Sequence, residues 1–135
     1  MFFAREQALF ENRYDAGRQL AAKLSDYKGH SVVVLAIPNG GVPVALGVAL
    51  ALEADLDLVI SRKIPLPLNP EAGFGALADD GTAIFNEEIV KEIGLSPHQI
   101  NDQINRVRAE IRQRSLLYQK ERELLAVNGR TVIIV

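Results

Sequence analysis

Apolar residues recur along this chain with two spacings, one typical of buried strands and the other of amphipathic helices. Ser31–Ile37, Leu56–Ser61 and Thr131–Val135 are short runs rich in Val, Leu and Ile, which predicts strands of a parallel sheet covered on both faces. Apolar side chains three or four positions apart predict helices over Phe10–Leu24 and from Ile100 to Tyr118. Strands and helices that alternate in this way predict an α/β fold.

The turn behind the first strand is the most informative stretch of the chain. Pro38-Asn39-Gly40-Gly41-Val42-Pro43 joins that strand to a helix predicted over Pro43–Leu52, which is apolar on nearly every side. Two glycines permit positive φ and let a ligand approach the backbone closely, and Pro43 suits a first helical turn. Free N–H groups at the positive end of a helix make an anion site, for which phosphate or pyrophosphate is the natural ligand.

The segment from Arg62 to Gly81 differs in composition from the rest, because it contains three prolines and several glycines. Asp80-Gly81 stands between two apolar runs, 74–78 and 82–85, and this pattern predicts a β-hairpin. We interpret Asp79 and Asp80 as turn residues.

Capping residues set the bounds of two further helices. Asn86 predicts a short helix over Glu87–Ile93 that Gly94 ends. The capping box Ser96-Pro97-His98-Gln99 predicts the start of the long helix, which is expected to end before Asn128. Mixed charges on this helix predict a solvated face, with a homodimer contact through its apolar stripe as the alternative.

Composition limits the classes of function. The 135 residues, 48% hydrophobic and 24% charged, predict one globular domain with its own core. A net charge of −2 predicts no general attraction to nucleic acid or to an anionic membrane. The absence of cysteine excludes disulfides, thiolate metal sites and a cysteine nucleophile, and is compatible with a reducing cytoplasm.

Targeting and membrane signals are absent from the sequence pattern. The charged start, Met1–Glu6, lacks the apolar core of an export signal. The apolar block Val32–Ile60 is broken by proline, glycine and acidic residues before it reaches the roughly 20 residues of a membrane span. We therefore expect a cytoplasmic protein whose partner is a small molecule.

Five sets of residues follow one another in an order that matches a known family. They are Phe10, Arg13, Asp15-Ala16-Gly17 and Leu20-Ala21; Val34–Ala45 with the exception of position 39; Arg62-Lys63; Asn69-Pro70-Glu71 with Gly75-Ala76; and Gly129–Val135. Together they resemble the type I phosphoribosyltransferase family, in particular its predicted-phosphoribosyltransferase branch, over essentially the whole chain. No single motif decides this, but the ordered set is fairly specific.

The resemblance implies a Rossmann-like parallel sheet with flanking helices and an inserted β-hairpin hood. It places one domain over residues 1–135, incomplete at its C-terminus, with the hood at 62–86. It implies an enzyme that binds phosphoribosyl pyrophosphate (PRPP) together with Mg²⁺. Such an enzyme transfers the phosphoribosyl group to an acceptor, usually a nitrogen of a nucleobase, and releases pyrophosphate.

The same resemblance assigns candidate site residues. Pro38-Asn39-Gly40-Gly41-Val42 matches the loop that holds pyrophosphate through backbone N–H groups. Arg62 and Lys63, expected at the carboxyl end of the second strand, would neutralise charge on the leaving pyrophosphate. The hood, with Asn69 and Glu71, would close over the reacting centre and exclude water. Each assignment has a plainer alternative: a structural turn, a solvated strand end and surface loop residues.

Two departures from the family pattern alter these expectations. Asn39 stands where this branch usually has arginine, so a bidentate cation is missing from the pyrophosphate loop. The family's acidic and Gly/Thr-rich loop, which holds the ribose and its 5-phosphate, would begin only after Val135. We therefore expect an N-terminal part of such a protein, with little or no transferase activity alone. The alternatives are a non-catalytic module that binds PRPP or a nucleotide, and a structural half completed by another chain.

Overall fold

The computed structural model describes residues 8–118 and 125–135, which form two compact units. One unit takes in residues 8–58 and 125–135, and the other residues 59–118. The predictions for the start of the chain, and for the continuation of the long helix over 119–124, lie outside the described residues. The elements are α1 Arg13–Lys23, β1 Val32–Ala36, α2 Gly41–Leu52, β2 Asp55–Leu58, β3 Ser61–Leu66, β4 Asn69–Ala78, β5 Ala83–Phe85, α3 Glu87–Ile93, α4 Pro97–Tyr118 and β6 Thr131–Ile134.

The first unit contains a parallel three-stranded sheet in the order β2-β1-β6, which confirms the predicted α/β class. In its register Val34 lies opposite Leu56 on one side and Ile133 on the other. One face of the central strand packs against α2, and α1 packs against α2 in turn. The buried residues of this core are Ala21, Val32, Val34, Ala36, Ala45, Val48, Ala49 and Leu52.

Three predicted boundaries need correction. Helix α1 begins at Arg13, three residues after Phe10, because the Asn12 side chain caps it by accepting from the Asp15 amide at 2.9 Å. Helix α2 begins at Gly41, two residues before Pro43, because the glycines already adopt helical geometry. The second strand ends at Leu58, and Ser61 belongs to a different strand, β3, in the second unit. The predicted strand Leu56–Ser61 therefore spans the end of β2 and the start of β3. Residues 59 and 60 between them belong to neither strand, but they are apolar and so continue the pattern of a buried strand.

The second unit is built on an antiparallel sheet in the order β3-β4-β5. The turn at Asp80-Gly81 joins β4 to β5, which confirms the predicted hairpin. Helix α4 packs on this sheet, and its Val107 and Ile111 are buried with Phe74. The predicted apolar stripe of α4 is thus confirmed at the positions whose side chains are described.

Both predicted caps of the second unit are present. The Asn86 side chain accepts a hydrogen bond from the Ile89 amide at 3.2 Å, and Gly94 ends α3 in the left-handed region. At the start of α4, Ser96 Oγ accepts from the Gln99 amide at 3.1 Å, while Gln99 Oε1 accepts from the Ser96 amide at 3.0 Å.

Segment 62–86, the predicted hood, corresponds to the three antiparallel strands β3, β4 and β5. Its closure over a reacting centre, and the single-domain organisation of the chain, stay predictions. Over the described stretches 8–118 and 125–135, no helix combines the length and the apolar character that crossing a membrane requires.

Candidate functional site

The predicted pyrophosphate loop connects the carboxyl end of β1 to the N-terminus of α2. The Ile37 amide donates to the Val135 carbonyl at 2.7 Å, and the Val135 amide donates to the Leu35 carbonyl at 2.9 Å. The Gly41 amide donates back to the Ile37 carbonyl at 3.0 Å, and the Pro38–Asn39 peptide is cis. The loop therefore lies at the strand end where ligands of open α/β sheets bind.

Gly40 and Gly41 are neighbours with different surroundings. Gly40 has φ −65° and ψ −29°, and neither glycine is among those with positive φ, so the loop does not use the left-handed conformation that glycine permits. A Cβ on Gly41 would lie 2.5 Å from the carbonyl oxygen of Val135. The close approach that requires glycine at position 41 is therefore made by the chain's own backbone.

A Cβ on Gly40 would instead meet a side chain from another helix. It would lie 3.2 Å from Nε and 3.4 Å from Nη2 of Arg13, the first residue of α1. Arg13 is exposed, and so is Asn39 at the tip of the loop. The structure thus brings a guanidinium group to a loop that has none of its own.

The backbone donors of the loop are partly used. The Gly41 amide donates to Ile37, the Val42 amide donates to the Asn39 carbonyl at 3.3 Å, and Pro43 has no N–H. The first turn of α2 therefore has fewer free donors than the sequence pattern predicts.

Arg62 and Lys63 lie inside β3, so their predicted position at the end of a parallel strand is wrong. The Arg62 guanidinium forms an ion pair with Glu110 of α4 at 2.7 Å, and both side chains are about half-buried. Lys63 Nζ donates to the backbone carbonyl of Glu71 at 2.7 Å. Both side chains already have partners in their own unit, and their catalytic roles stay predictions.

The hood residues Asn69 and Glu71 lie at the start of β4. Asn69 opens the strand opposite Leu66, and Glu71 is exposed and contributes its backbone carbonyl to Lys63. The stem of Lys63 crosses directly over Gly73, where a Cβ would clash with it. This corner of the sheet is therefore held together by the lysine, and a direct role for Glu71 in chemistry stays a prediction.

The hairpin turn holds two acidic residues with opposite tendencies. Asp80 Oδ1 accepts from the Thr82 amide at 2.8 Å, and this hydrogen bond lowers the pKa of Asp80, as a turn residue requires. Burial raises the pKa of Asp79, and its Oδ2 atom is buried without a partner among the described residues. Asp79 lines a cavity of about 530 Å³ together with Arg108 and Arg112 of α4.

The structural roles of two residues were not predicted from the sequence. Arg130 donates to the Val32 carbonyl at 3.2 Å and pairs with Asp55 at 2.8 Å, so it ties together the amino ends of the three parallel strands. Asp57 is buried in β2, and its Oδ2 accepts from the Leu125 amide at 3.0 Å. An acid in an apolar strand was the available signal for Asp57.

Comparison with known proteins shows what this chain is similar to. No family model matches it. Two curated proteins, from two strains of Mycobacterium tuberculosis, are each 39% identical to it over 127 residues, and both carry the name "Putative phosphoribosyl transferase". These matches take in 94% of this chain but 29% of each relative, so the chain spans less than a third of their length.

A solved structure shows the fold. The crystal structure of TT1426 from Thermus thermophilus matches with a TM-score of 0.81 at 33% identity, over 93% of this chain and 60% of the other. Together these similarities confirm the predicted resemblance to the phosphoribosyltransferase family and the predicted α/β fold. Its partial match to the longer relatives agrees with the expected N-terminal part of such a protein.

Proposed function

We propose that the loop at residues 38–42 binds the pyrophosphate group of PRPP, and that the whole protein transfers phosphoribosyl from PRPP to an acceptor nitrogen. The observation that supports this is the position of the loop. It joins the end of a buried parallel strand to the start of a 12-residue helix, in a chain whose relatives are named for phosphoribosyl transfer. The positive end of that helix suits an anionic ligand.

The reaction sets what the loop must do. The bond between ribose C1 and the pyrophosphate oxygen breaks, pyrophosphate leaves with the electron pair, and the acceptor nitrogen bonds to C1 and gives its proton to water. Negative charge therefore grows on pyrophosphate as the transition state forms. Donors and cations fixed beside those oxygens lower the barrier, and no protein nucleophile is needed.

The resemblance also implies Mg²⁺ bound together with PRPP. Among the residues that the structure describes, no three His, Cys, Asp or Glu side chains come together in a way that could hold a metal ion. The described residues do not fit a metal site held by the protein, and no step of the proposal runs through the ion.

Calorimetric titration of the chain tests the proposed ligand. We expect pyrophosphate and PRPP to compete for one site, and ribose 5-phosphate, which lacks the pyrophosphate group, to bind much more weakly. Backbone amide signals of residues 39–42 should shift in ¹⁵N spectra on addition of pyrophosphate. Absence of saturable pyrophosphate binding, or shifts confined to other residues, would refute the proposal.

A non-catalytic module that binds PRPP or a nucleotide is the first alternative. The uncharged Asn39 on the loop favours it, because a loop with weaker charge stabilisation binds without accelerating the departure of pyrophosphate. Pyrophosphate release from PRPP, measured on the full-length protein with a panel of nucleobases, separates the two. Binding without release under every condition would favour the module.

A structural half completed by another chain, including a second copy, is the other alternative. Strand β6 favours it, since Ile134 is 63% exposed and Val132 is 36% exposed on one face of the sheet. Sedimentation equilibrium measures the solution mass that decides this point. A stable monomer would remove the reason for this alternative.

A further inference from the structure

A guanidinium group reaches the proposed pyrophosphate loop from a distant part of the chain. Nε of Arg13 would lie 3.2 Å from a Cβ placed on Gly40, so the planar end of the side chain packs against the glycine at the N-terminus of α2. Arg13 is exposed to solvent. Its charge therefore stands at the loop surface, where a ligand would approach.

Helix packing determines this placement. Helices α1 and α2 cross where Gly17 meets Val44: a Cβ on Gly17 would lie 2.7 Å from the Val44 carbonyl oxygen. Arg13 precedes Gly17 by four residues, and Gly40 precedes Val44 by four, so both lie one turn before the crossing on the contacting faces. The crossing thus carries Arg13 to Gly40.

The acidic residue of α1 forms its hydrogen bonds with groups other than the Arg13 guanidinium. Asp15, the acid nearest to it in α1, already accepts from Arg18 at 2.6 Å, from Gln19 at 2.9 Å and from the Glu11 amide at 3.2 Å. Within residues 8–118 and 125–135, no hydrogen bond or ion pair engages Arg13. A cation that stands at a loop and has no partner among the described residues is available to an anionic ligand.

We propose that Arg13 is a pyrophosphate-binding residue, and that it supplies from α1 the cation that the loop itself lacks. This inference rests on the proposed function of the loop. The planar fork of arginine can donate two parallel hydrogen bonds to phosphate oxygens, which suits a pyrophosphate group better than a point charge does. It also compensates for loop amides that already donate within the loop.

Titration of pyrophosphate into the wild-type chain, Arg13→Ala, Arg13→Lys and Arg18→Ala tests the inference. Arg18→Ala is the matched control, because it removes the same charge from an exposed side chain of the same helix whose guanidinium is bound to Asp15. The titrations use about 0.15 M salt, which screens general field effects beyond about 8 Å. Thermal unfolding of each variant confirms that it is folded.

We expect Arg13→Ala to weaken pyrophosphate binding about tenfold or more, as for a lost charge-assisted contact, with Arg13→Lys intermediate and Arg18→Ala within about twofold of wild type. The side-chain Nε signal of Arg13 should shift in the wild-type complex, which is a readout independent of any variant. Equal losses in Arg13→Ala and Arg18→Ala, or binding unchanged in Arg13→Ala, would overturn the role of Arg13 and leave the loop proposal standing. No pyrophosphate binding by the wild-type chain would overturn both.

Discussion

The basic side chains of the two units differ in whether another group of the protein binds them. In the first unit, Arg13 comes from a helix far from the loop in sequence, and it has no partner among the described residues. In the second unit, Arg62 and Lys63 stand next to each other in one strand and are bound to Glu110 and to the Glu71 carbonyl. Two basic residues that are adjacent in sequence are therefore both bound within their own unit, whereas helix packing places Arg13 at the loop with no partner among the described residues.

The largest expected effect is a loss of stability on substitution of Gly41, where the backbone packs closely behind the loop. Gly41→Ala places a Cβ 2.5 Å from the Val135 carbonyl oxygen, and relieving this clash must displace the end of β6. We expect a loss of about 3 kcal/mol in the free energy of unfolding, measured by urea denaturation. Gly40→Ala, the neighbouring control, meets only the flexible Arg13 side chain and should cost at most about 1 kcal/mol. Equal losses of unfolding free energy in the two variants would contradict the difference in packing around Gly40 and Gly41.

The second largest effect is expected at Gly17, where α1 and α2 cross and so place Arg13 at the loop. Gly17→Ala drives a Cβ against the Val44 carbonyl and should cost about 2 kcal/mol, because the two helices must separate. Separation should also move Arg13 from the loop and weaken pyrophosphate binding in the folded fraction. Arg18→Ala, on the exposed side of α1, should change neither quantity appreciably. Unchanged binding in a destabilised Gly17→Ala would break the link between the crossing and Arg13.

A double-mutant cycle on Arg62 and Glu110 measures how firmly the second unit holds its cation. The pair is about half-buried and joined at 2.7 Å, so we expect a coupling of about 0.5 kcal/mol in unfolding experiments. Arg62→Ala, Glu110→Ala and the double variant are compared with wild type. A coupling energy near zero would mean that Glu110 does not hold Arg62 in place, and it would remove the contrast between the two units.

The acids of the hairpin turn give the smallest effect, and its sign depends on pH. Burial raises the pKa of Asp79 above 3.8, so the folded state favours its protonated form, and stability falls as pH rises through the folded pKa. Asp79→Asn should therefore stabilise the chain at pH 7 by on the order of a few tenths of a kcal/mol, since water screens this partly exposed group, and should give no gain below about pH 3.8.

Asp80→Asn is the matched control for this pH effect, with the opposite sign. The Thr82 amide lowers the pKa of Asp80, so the stability contributed by its carboxylate is present above about pH 3.8 and is lost as pH falls through the lower, folded pKa. Asp80→Asn should therefore lower stability at pH 7. Unfolding curves collected from pH 3 to pH 8 compare the two variants, and shifts of the same sign would contradict the assignment.

Features that depend on a few consecutive residues could be predicted from the sequence. The Asn86 cap, the reciprocal hydrogen bonds of Ser96 and Gln99, and the Asp80-Gly81 turn each satisfy backbone groups three or fewer positions away. The periodicity of apolar residues likewise predicted the parallel strands and the buried stripe of α4. The ordered motifs predicted the phosphoribosyltransferase resemblance, because each records a local requirement of one fold.

Only the tertiary structure decided which charged and glycine residues meet. A side chain at position 41 would clash with the backbone of Val135, 94 positions further along the chain. A side chain at position 40 would press against Arg13, which α1 brings there. Arg62 is bound because α4 lies on β3. Such contacts depend on how helices and strands pack across long separations, and residue type and spacing carry no record of that packing. The sequence alone predicted the elements and the family resemblance, while packing determined which cation stands at the loop.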